Sequence, residues 1–408
     1  MQPDFVYNCS TCIKHKENVN RVKKILYLSD TPHMDGSGIA LLNIVSTLHK
    51  TYHIQIVFPR TGPLYIKLNE MGICCKIVTF YLDIYPRIKN KKDFIMFIPR
   101  LIKLLVVNYH ARYKLVKIIQ EYQPDIVHTN VGPIHLGFNA TKKTNTPHVW
   151  HIREYQNIGF GWTPLFSMKH FIKKLNFHRN YKIAVSTGLS KYFNMNERST
   201  VIYDGVFSDK HTPAIIKEKD KYFLFVGRIE PAKGISELID AFKEFSQLNN
   251  FYRLLIAGQG VDNFVKQIKE KVDKSKLNNQ IEFLGFRNDI NKLMSRAIAL
   301  IVPSRFEGFG FITAEAMYNG CLVIGKDVAG TKEQFDNGLC MNNEEIGIRY
   351  HTHQELVKSL IEVSSKEFSH YLPMIKKAQN TVIKLYSIER SIKEITNLYD
   401  LIVEKNKI

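Results

Sequence analysis

The sequence predicts an α/β protein built from two Rossmann-like βαβ domains, and three observations predict it. The chain has 408 residues, more than one compact hydrophobic core usually serves, so two domains are expected. A strand, a glycine-bearing loop and an amphipathic helix succeed one another from Lys23 to Lys50. The same rhythm restarts at Tyr222, after a polar stretch at 207–220 that carries no periodicity.

Taken in order, residues 1–22 read as a polar tail. Cys9, Cys12 and His15 have ligand-like spacing there, but structural zinc wants four ligands and no fourth is near. Lys23–Ser29 is a first strand, 30–38 a loop with Gly36 and Gly38, and Ile39–Lys50 a helix. The loop reads either as a tight strand-to-helix turn or as a phosphate-facing loop, since the third glycine of a dinucleotide fingerprint is missing. His53–Phe58 and Cys75–Phe80 are further strands, with a helix from Pro63 to Met71 between them.

Residues 86–122 interleave Lys and Arg with Phe, Ile and Leu at helical spacing. They suit a helix lying in a membrane interface, or a helix buried against the sheet; both readings can hold, with the first turns on lipid. Asp125–Asn130 and Pro147–His151 are strands with polar residues at their C-terminal ends, where open α/β sheets place ligands. His151 is thus either a structural histidine or a cleft residue. Residues 155–180 read as a loop and helix able to cover an acceptor, 182–186 as a strand, and Val201–Val206 as the last strand of a domain spanning 23–206.

The second domain, 221–382, is expected to run as strand 222–226, a loop with Gly227, Arg228, Lys233 and Gly234, helix 235–248, strand 253–257, helix 262–274, strand 280–284 and helix 289–296. Residues 299–302 form a buried parallel strand closed by Pro303 and Ser304. A loop with Glu307, Gly308 and Gly310 follows, and a helix starts near Ile312 with Glu315 in its first turns. Glycines allow close backbone approach, and the free N–H groups of a helix start suit a phosphate. Two carboxylates eight positions apart then lie along one bound molecule. A strand at 321–325 and closing helices from Phe368 complete the domain, and 383–408 forms the last helix.

Composition narrows the function. Apolar content of 45% and charged content of 23% are ordinary for a globular protein. No run approaches ~18 apolar residues and no leader segment is visible, so a cytoplasmic protein, soluble or peripheral on the inner membrane face, is expected. Six cysteines, two of them adjacent, make no disulfide framework. The net charge of +19 is uneven: residues 1–210 hold 29 Lys and Arg against 13 Asp and Glu, and 211–408 hold 28 against 25. A basic first half reads as a solvated face or as attraction to an anionic membrane surface. Nucleic acid is disfavoured, because no helix-turn-helix, aromatic RNA-binding motif or complete zinc finger is visible.

The run Glu307-Gly-Phe-Gly-Phe-Ile-Thr-Ala-Glu315, about 80 residues after Gly227-Arg228 and Lys233-Gly234, resembles the signature of the retaining glycosyltransferase family 4, which has the GT-B fold. The resemblance covers roughly residues 23–405 and is densest over 222–335. It implies an acceptor-binding first domain and a nucleotide-sugar-binding second domain facing each other across a cleft, with the final helix returning to the first domain. It further implies a hexosyltransferase whose donor is a nucleotide-diphosphate sugar and whose acceptor is a glycan or a polyprenyl-diphosphate-linked acceptor, in the synthesis of a surface polysaccharide such as capsule or lipopolysaccharide.

By the same resemblance Arg228 and Lys233 clamp the diphosphate, Glu315 takes the ribose hydroxyls, and Glu307 contacts the transferred sugar or phosphates. Phe286 and Arg287 border the base, the Gly38 loop faces the diphosphate from across the cleft, and His151 matches the family's active-site histidine. Asp204 stands where the family usually has Asn. Backbone N–H groups at Gly308, Phe309 and Gly310 complete the phosphate site, so no metal and no other cofactor is expected, and no Asp-x-Asp pair is present to hold one. A sugar-nucleotide epimerase or phosphorylase of the same fold is the alternative, and a basic adaptor without chemistry is a third reading.

Overall fold

The computed structural model describes residues 21–195, 197–208 and 212–406. The Cys9, Cys12 and His15 tail lies outside them. In the first lobe the elements are β1 (Lys24–Leu28), α1 (Gly36–Leu48), β2 (His53–Phe58), α2 (Pro63–Glu70), β3 (Cys74–Ile77), α3 (Lys91–Ile95) and α4 (Phe97–Tyr122). Then come β4 (Ile126–Thr129), α5 (Leu136–Thr144), β5 (His148–Ile152), α6 (Asn157–Phe160), α7 (Met168–Leu175), β6 (Asn180–Ala184), α8 (Thr187–Tyr192) and β7 (Ser199–Val201).

The second lobe holds β8 (Asp220–Val226), α9 (Ile235–Leu248), β9 (Arg253–Ala257), α10 (Asp262–Lys274), β10 (Ile281–Gly285), α11 (Ile290–Arg296), β11 (Ala297–Val302) and α12 (Phe311–Tyr318). It continues with β12 (Val323–Lys326), α13 (Ala329–Asn342), β13 (Ile348–Tyr350), α14 (His353–Ser365) and α15 (Leu372–Leu385). The closing helix, α16 (Ile388–Lys405), crosses back, and Tyr399 on it bonds Tyr27 of β1 at 2.6 Å between hydroxyls.

Each lobe has one wholly parallel sheet, of seven strands in the order β3-β2-β1-β4-β5-β6-β7 and of six in the order β10-β9-β8-β11-β12-β13. Parallel strands buried on both faces need apolar side chains throughout, and β11 (Ala-Ile-Ala-Leu-Ile-Val) is buried at every position. α1, α2 and α16 pack on one face of the first sheet and α4 on the other. A third cluster is continuous between lobes, joining Trp150, Leu189 and Phe193 to Val302, Phe309 and Tyr386. The two Rossmann-like sheets therefore stand as the α/β, GT-B arrangement.

Differences from the sequence expectation are local. α1 begins at Gly36, three residues early, because Asp35 caps it by accepting from Gly38 N at 3.0 Å. β3 and β7 are short, and 202–206 is irregular because Asp204 turns to pair with Arg153 rather than extend the strand. β13 and α14 had no sequence counterpart; the strand is three residues long, too short to show a period.

Candidate active site

Strand order locates the site. In each sheet the order reverses beside the first strand, between β1 and β4 and between β8 and β11. Crevices open at such points beyond the strands' C-terminal ends. Asp30 follows β1, Val131 follows β4, Gly227 follows β8 and Pro303 follows β11, and all four line one cavity of about 520 Å³ between the lobes.

The second lobe lines that cavity with Arg228, Glu230, Lys233, Glu307, Gly308, Phe309, Gly310 and Glu315. Lys233 Nζ donates to Glu307 Oε1 at 2.7 Å, both side chains about one-fifth to one-quarter exposed. Arg228 lies 3.1 Å from Glu230 and holds its guanidinium 6.0 Å over the Phe160 ring of the first lobe. Gly234, at φ +70°, brings Lys233 in: a Cβ there would meet Pro303 O at 2.1 Å. Gln334 Nε2 donates to Phe309 O at 2.7 Å and Gly310 O at 3.0 Å, which fixes the loop so that its N–H groups and the start of α12 stay in place. Burial pushes the Glu315 carboxyl up to about 7.

The loop also touches the first lobe. A Cβ on Gly308 would stand 1.9 Å from Arg153 O, so only glycine permits this approach. A Cβ on Gly36 would be 3.9 Å from Phe311, which measures how close α1 comes to α12. From α13, Glu333 accepts from Thr187 N at 2.6 Å, Gly188 N at 2.8 Å and Tyr203 OH at 2.9 Å, latching the lobes at the start of α8.

Four expected site residues stand elsewhere. His151 ends β5 as expected but is 1% exposed and behind the wall, with Nδ1 3.2 Å from His128 Nε2 and 3.3 Å from Arg153. Burial and then the Arg153 charge hold it neutral, far below the usual range, so it is a core histidine here. Gly38 is in the first turn of α1, turned toward His33 O, and the neighbouring Gly36 and Ser37 line the cavity instead. Phe286 is 69% exposed on the β10–α11 loop and Arg287 pairs with Asp289 at 2.7 Å; neither reaches the cavity.

Sequence reasoning missed the first-lobe wall. Asp30, Asp35, Arg153, Glu154, Phe160, Trp162 and Asp204 all face the cavity. Arg153 is held by Asp204 and by Asn130, and the departure from the usual Asn at position 204 supplies this buried pair. Burial, then the charge of Asp35, raises Asp30 to about 7; burial, then Asp30, raises Glu154 to about 8. Among the described residues no group of three or more His, Cys, Asp or Glu side chains is arranged to hold a metal ion.

Residues 207–381 match the family model for glycosyl transferases group 1. Over nearly the whole chain it is similar to a UDP-Gal:alpha-D-GlcNAc-diphosphoundecaprenol alpha-1,3-galactosyltransferase of Escherichia coli, 22% identical over 94% of this chain and 98% of that protein. It is 31% identical to the Salmonella typhimurium O-antigen chain mannosyltransferase RfbU over 44% of this chain and half of that one. The fold matches Anabaena HepE in complex with UDP-glucose, with TM-score 0.72 and 19% identity over 92% of this chain and 98% of the other. The match is seated on the lobe that carries the Glu307 loop, so residues 207–381 resemble the glycosyl transferases of group 1.

Proposed function

We propose that the protein is a retaining hexosyltransferase of the family 4 type, moving a hexose from a nucleoside diphosphate sugar to a lipid-linked glycan in surface polysaccharide synthesis. One observation carries the reading: Arg228, Lys233, Glu307, Glu315 and the 308–310 loop wall one cavity between two switch points. The names of the E. coli and Salmonella relatives support the lipid-linked glycan and the hexose, and the UDP-glucose bound to HepE supports a uridine donor.

As the glycosidic bond breaks, negative charge grows on the departing diphosphate. Lys233 and Arg228 supply fixed positive charge to that oxygen cluster, and the loop N–H groups take the remaining oxygens without a metal. Glu315 lies deeper on α12, where its carboxyl can pair with ribose hydroxyls. Glu307, held by Lys233, faces the transferred sugar. The sugar passes through an oxocarbenium-like state. His151 is buried and neutral and so takes no part as base; the leaving diphosphate receives the acceptor's proton on the face it departs from, which retains configuration.

A panel of nucleotide sugars screened by thermal shift identifies the donor, because a ligand of the folded state raises its stability. With that donor and an acceptor, nucleotide release requires the acceptor in a transferase, whereas an epimerase isomerises the donor alone and a phosphorylase needs inorganic phosphate. Absence of any stabilising nucleotide sugar contradicts the reading, as does unchanged product formation by Glu307→Ala.

A further inference from the structure

The wall that the first lobe presents to the cavity is opposite in character to the lobe itself. Residues 1–210 carry 29 cations against 13 acids, yet the charged first-lobe side chains on the wall are Asp30, Asp35, Glu154, Asp204 and a single cation, Arg153. Arg153 is already held by Asp204 and Asn130. Asp35 is spent on the N-terminus of α1 and on Thr31. That leaves Asp30, whose buried Oδ1 has no hydrogen-bond partner, and Glu154, 8% exposed and anchored through Oε1 to Gly132 N at 2.9 Å. On the same wall Phe160 and Trp162 stack with ring centroids 4.4 Å apart at 13°.

A pyranose offers pairs of hydroxyls around its rim and a C–H face across its ring. Carboxyl oxygens accept from the first, and an aromatic face packs on the second. A phosphate or carboxylate group would meet two acids and no uncommitted cation, so its desolvation would go unmatched. We propose that this wall binds the acceptor by a neutral pyranose end, its hydroxyls on Asp30 and Glu154 and its ring face on Trp162, which Phe160 backs from the other side. The enzyme then extends a saccharide and does not glycosylate a bare phosphate. This rests on the transferase reading above and names the acceptor class of the same cavity.

The test uses the full chain and the nucleotide sugar that stabilises it. Nucleotide release is measured with the methyl glycosides of glucose, galactose, mannose and N-acetylglucosamine, and with methyl glucuronide and octyl phosphate. At least one neutral glycoside is expected to raise release by at least about tenfold over water while the two anions do not. In Asp30→Ala and Trp162→Ala that stimulation is expected to fall by about tenfold or more, with the thermal shift from the nucleoside diphosphate intact, which also reports that the variants fold. Stimulation by octyl phosphate or glucuronide in preference, by no neutral glycoside, or undiminished in both variants overturns the acceptor assignment alone. Failure of every nucleotide sugar to shift the wild-type protein overturns the transferase reading on which it rests.

Discussion

Lys233 and Glu307 lie 74 positions apart in sequence and 2.7 Å apart in the cavity. Their types and spacing made them legible before any fold was known, because a diphosphate demands fixed cations and a sugar demands carboxylates. Removing the charge in Lys233→Met is expected to lower kcat by about 100-fold or more with the fold intact, the usual cost of losing one donor to developing charge. Steady-state nucleotide release checks it, and an effect confined to KM contradicts it. Asp30 and Glu154 were invisible by contrast. Each is a single acid after a strand, and only the strand order brings them together. His151 misled for the same reason: sequence shows the strand end, but not the Arg153 and His128 that enclose it.

The buried carboxyls also set a pH dependence. Asp30 and Glu315 are raised to about 7 and Glu154 to about 8, whereas unfolded carboxyls titrate near ~4. The folded chain keeps protons that the unfolded chain has released, so these groups favour folding less as pH rises through that window. The buried neutral histidines act in the opposite sense, but only below about pH 6.5, where the unfolded chain takes up protons. Thermal stability is therefore expected to fall between about pH 6.5 and 8.5, by at most ~1.4 kcal/mol per pH unit for each carboxyl. Thermal melts across that range test it. Glu154→Gln should flatten the profile, and a flat wild-type profile contradicts the burial of these groups.

Among the elements, α4 has the buried face that one reading of its sequence expects and a second apolar face that is exposed. Ala111, Leu115, Val116, Ile118 and Ile119 bury one stripe against the first sheet. Ile98, Ile102, Leu105, Tyr109 and Tyr113 form a second stripe, spaced by four, three, four and four residues and exposed to solvent. Before it, on α3, Phe94 and Ile95 are 70% and 73% exposed, flanked by exposed Lys91 and Lys92; Lys103, Arg112, Lys114 and Lys117 continue the charge along α4. Among the described residues no helix is long and apolar enough to cross a membrane. We propose that this second stripe lies on an anionic bilayer surface, its cations over the headgroups. Ile98→Asp with Ile102→Asp should abolish co-sedimentation with phosphatidylglycerol vesicles and leave the melting temperature unchanged. Leu115→Asp should unfold the lobe instead, since it buries an unpaired charge. Wild-type protein that stays in solution at low salt contradicts the lipid contact.

At the scale of the molecule, the strand–loop–helix rhythm made both sheets legible from sequence, and with them the two-lobed α/β arrangement. Lobe contact was not legible. It depends on Gly308 beside Arg153 O and on Glu333 at the start of α8, residues 155 and 146 positions from their partners. Gly308→Ala is expected to hold the lobes apart, raising the radius of gyration in small-angle scattering and lowering turnover at least about tenfold. An unchanged scattering curve and rate would mean that this approach is not needed.

The central claim is that cations and carboxylates of the second lobe grip one nucleoside diphosphate sugar in this cavity. Calorimetric titration of the nucleoside diphosphate into wild type and into Arg228→Ala/Lys233→Ala, at physiological salt and with chelator present, tests it most directly. Loss of about 100-fold or more in affinity in the double variant is the expected result, each charge-assisted contact contributing about 1.5–3 kcal/mol. Equal affinity in the two proteins would contradict it.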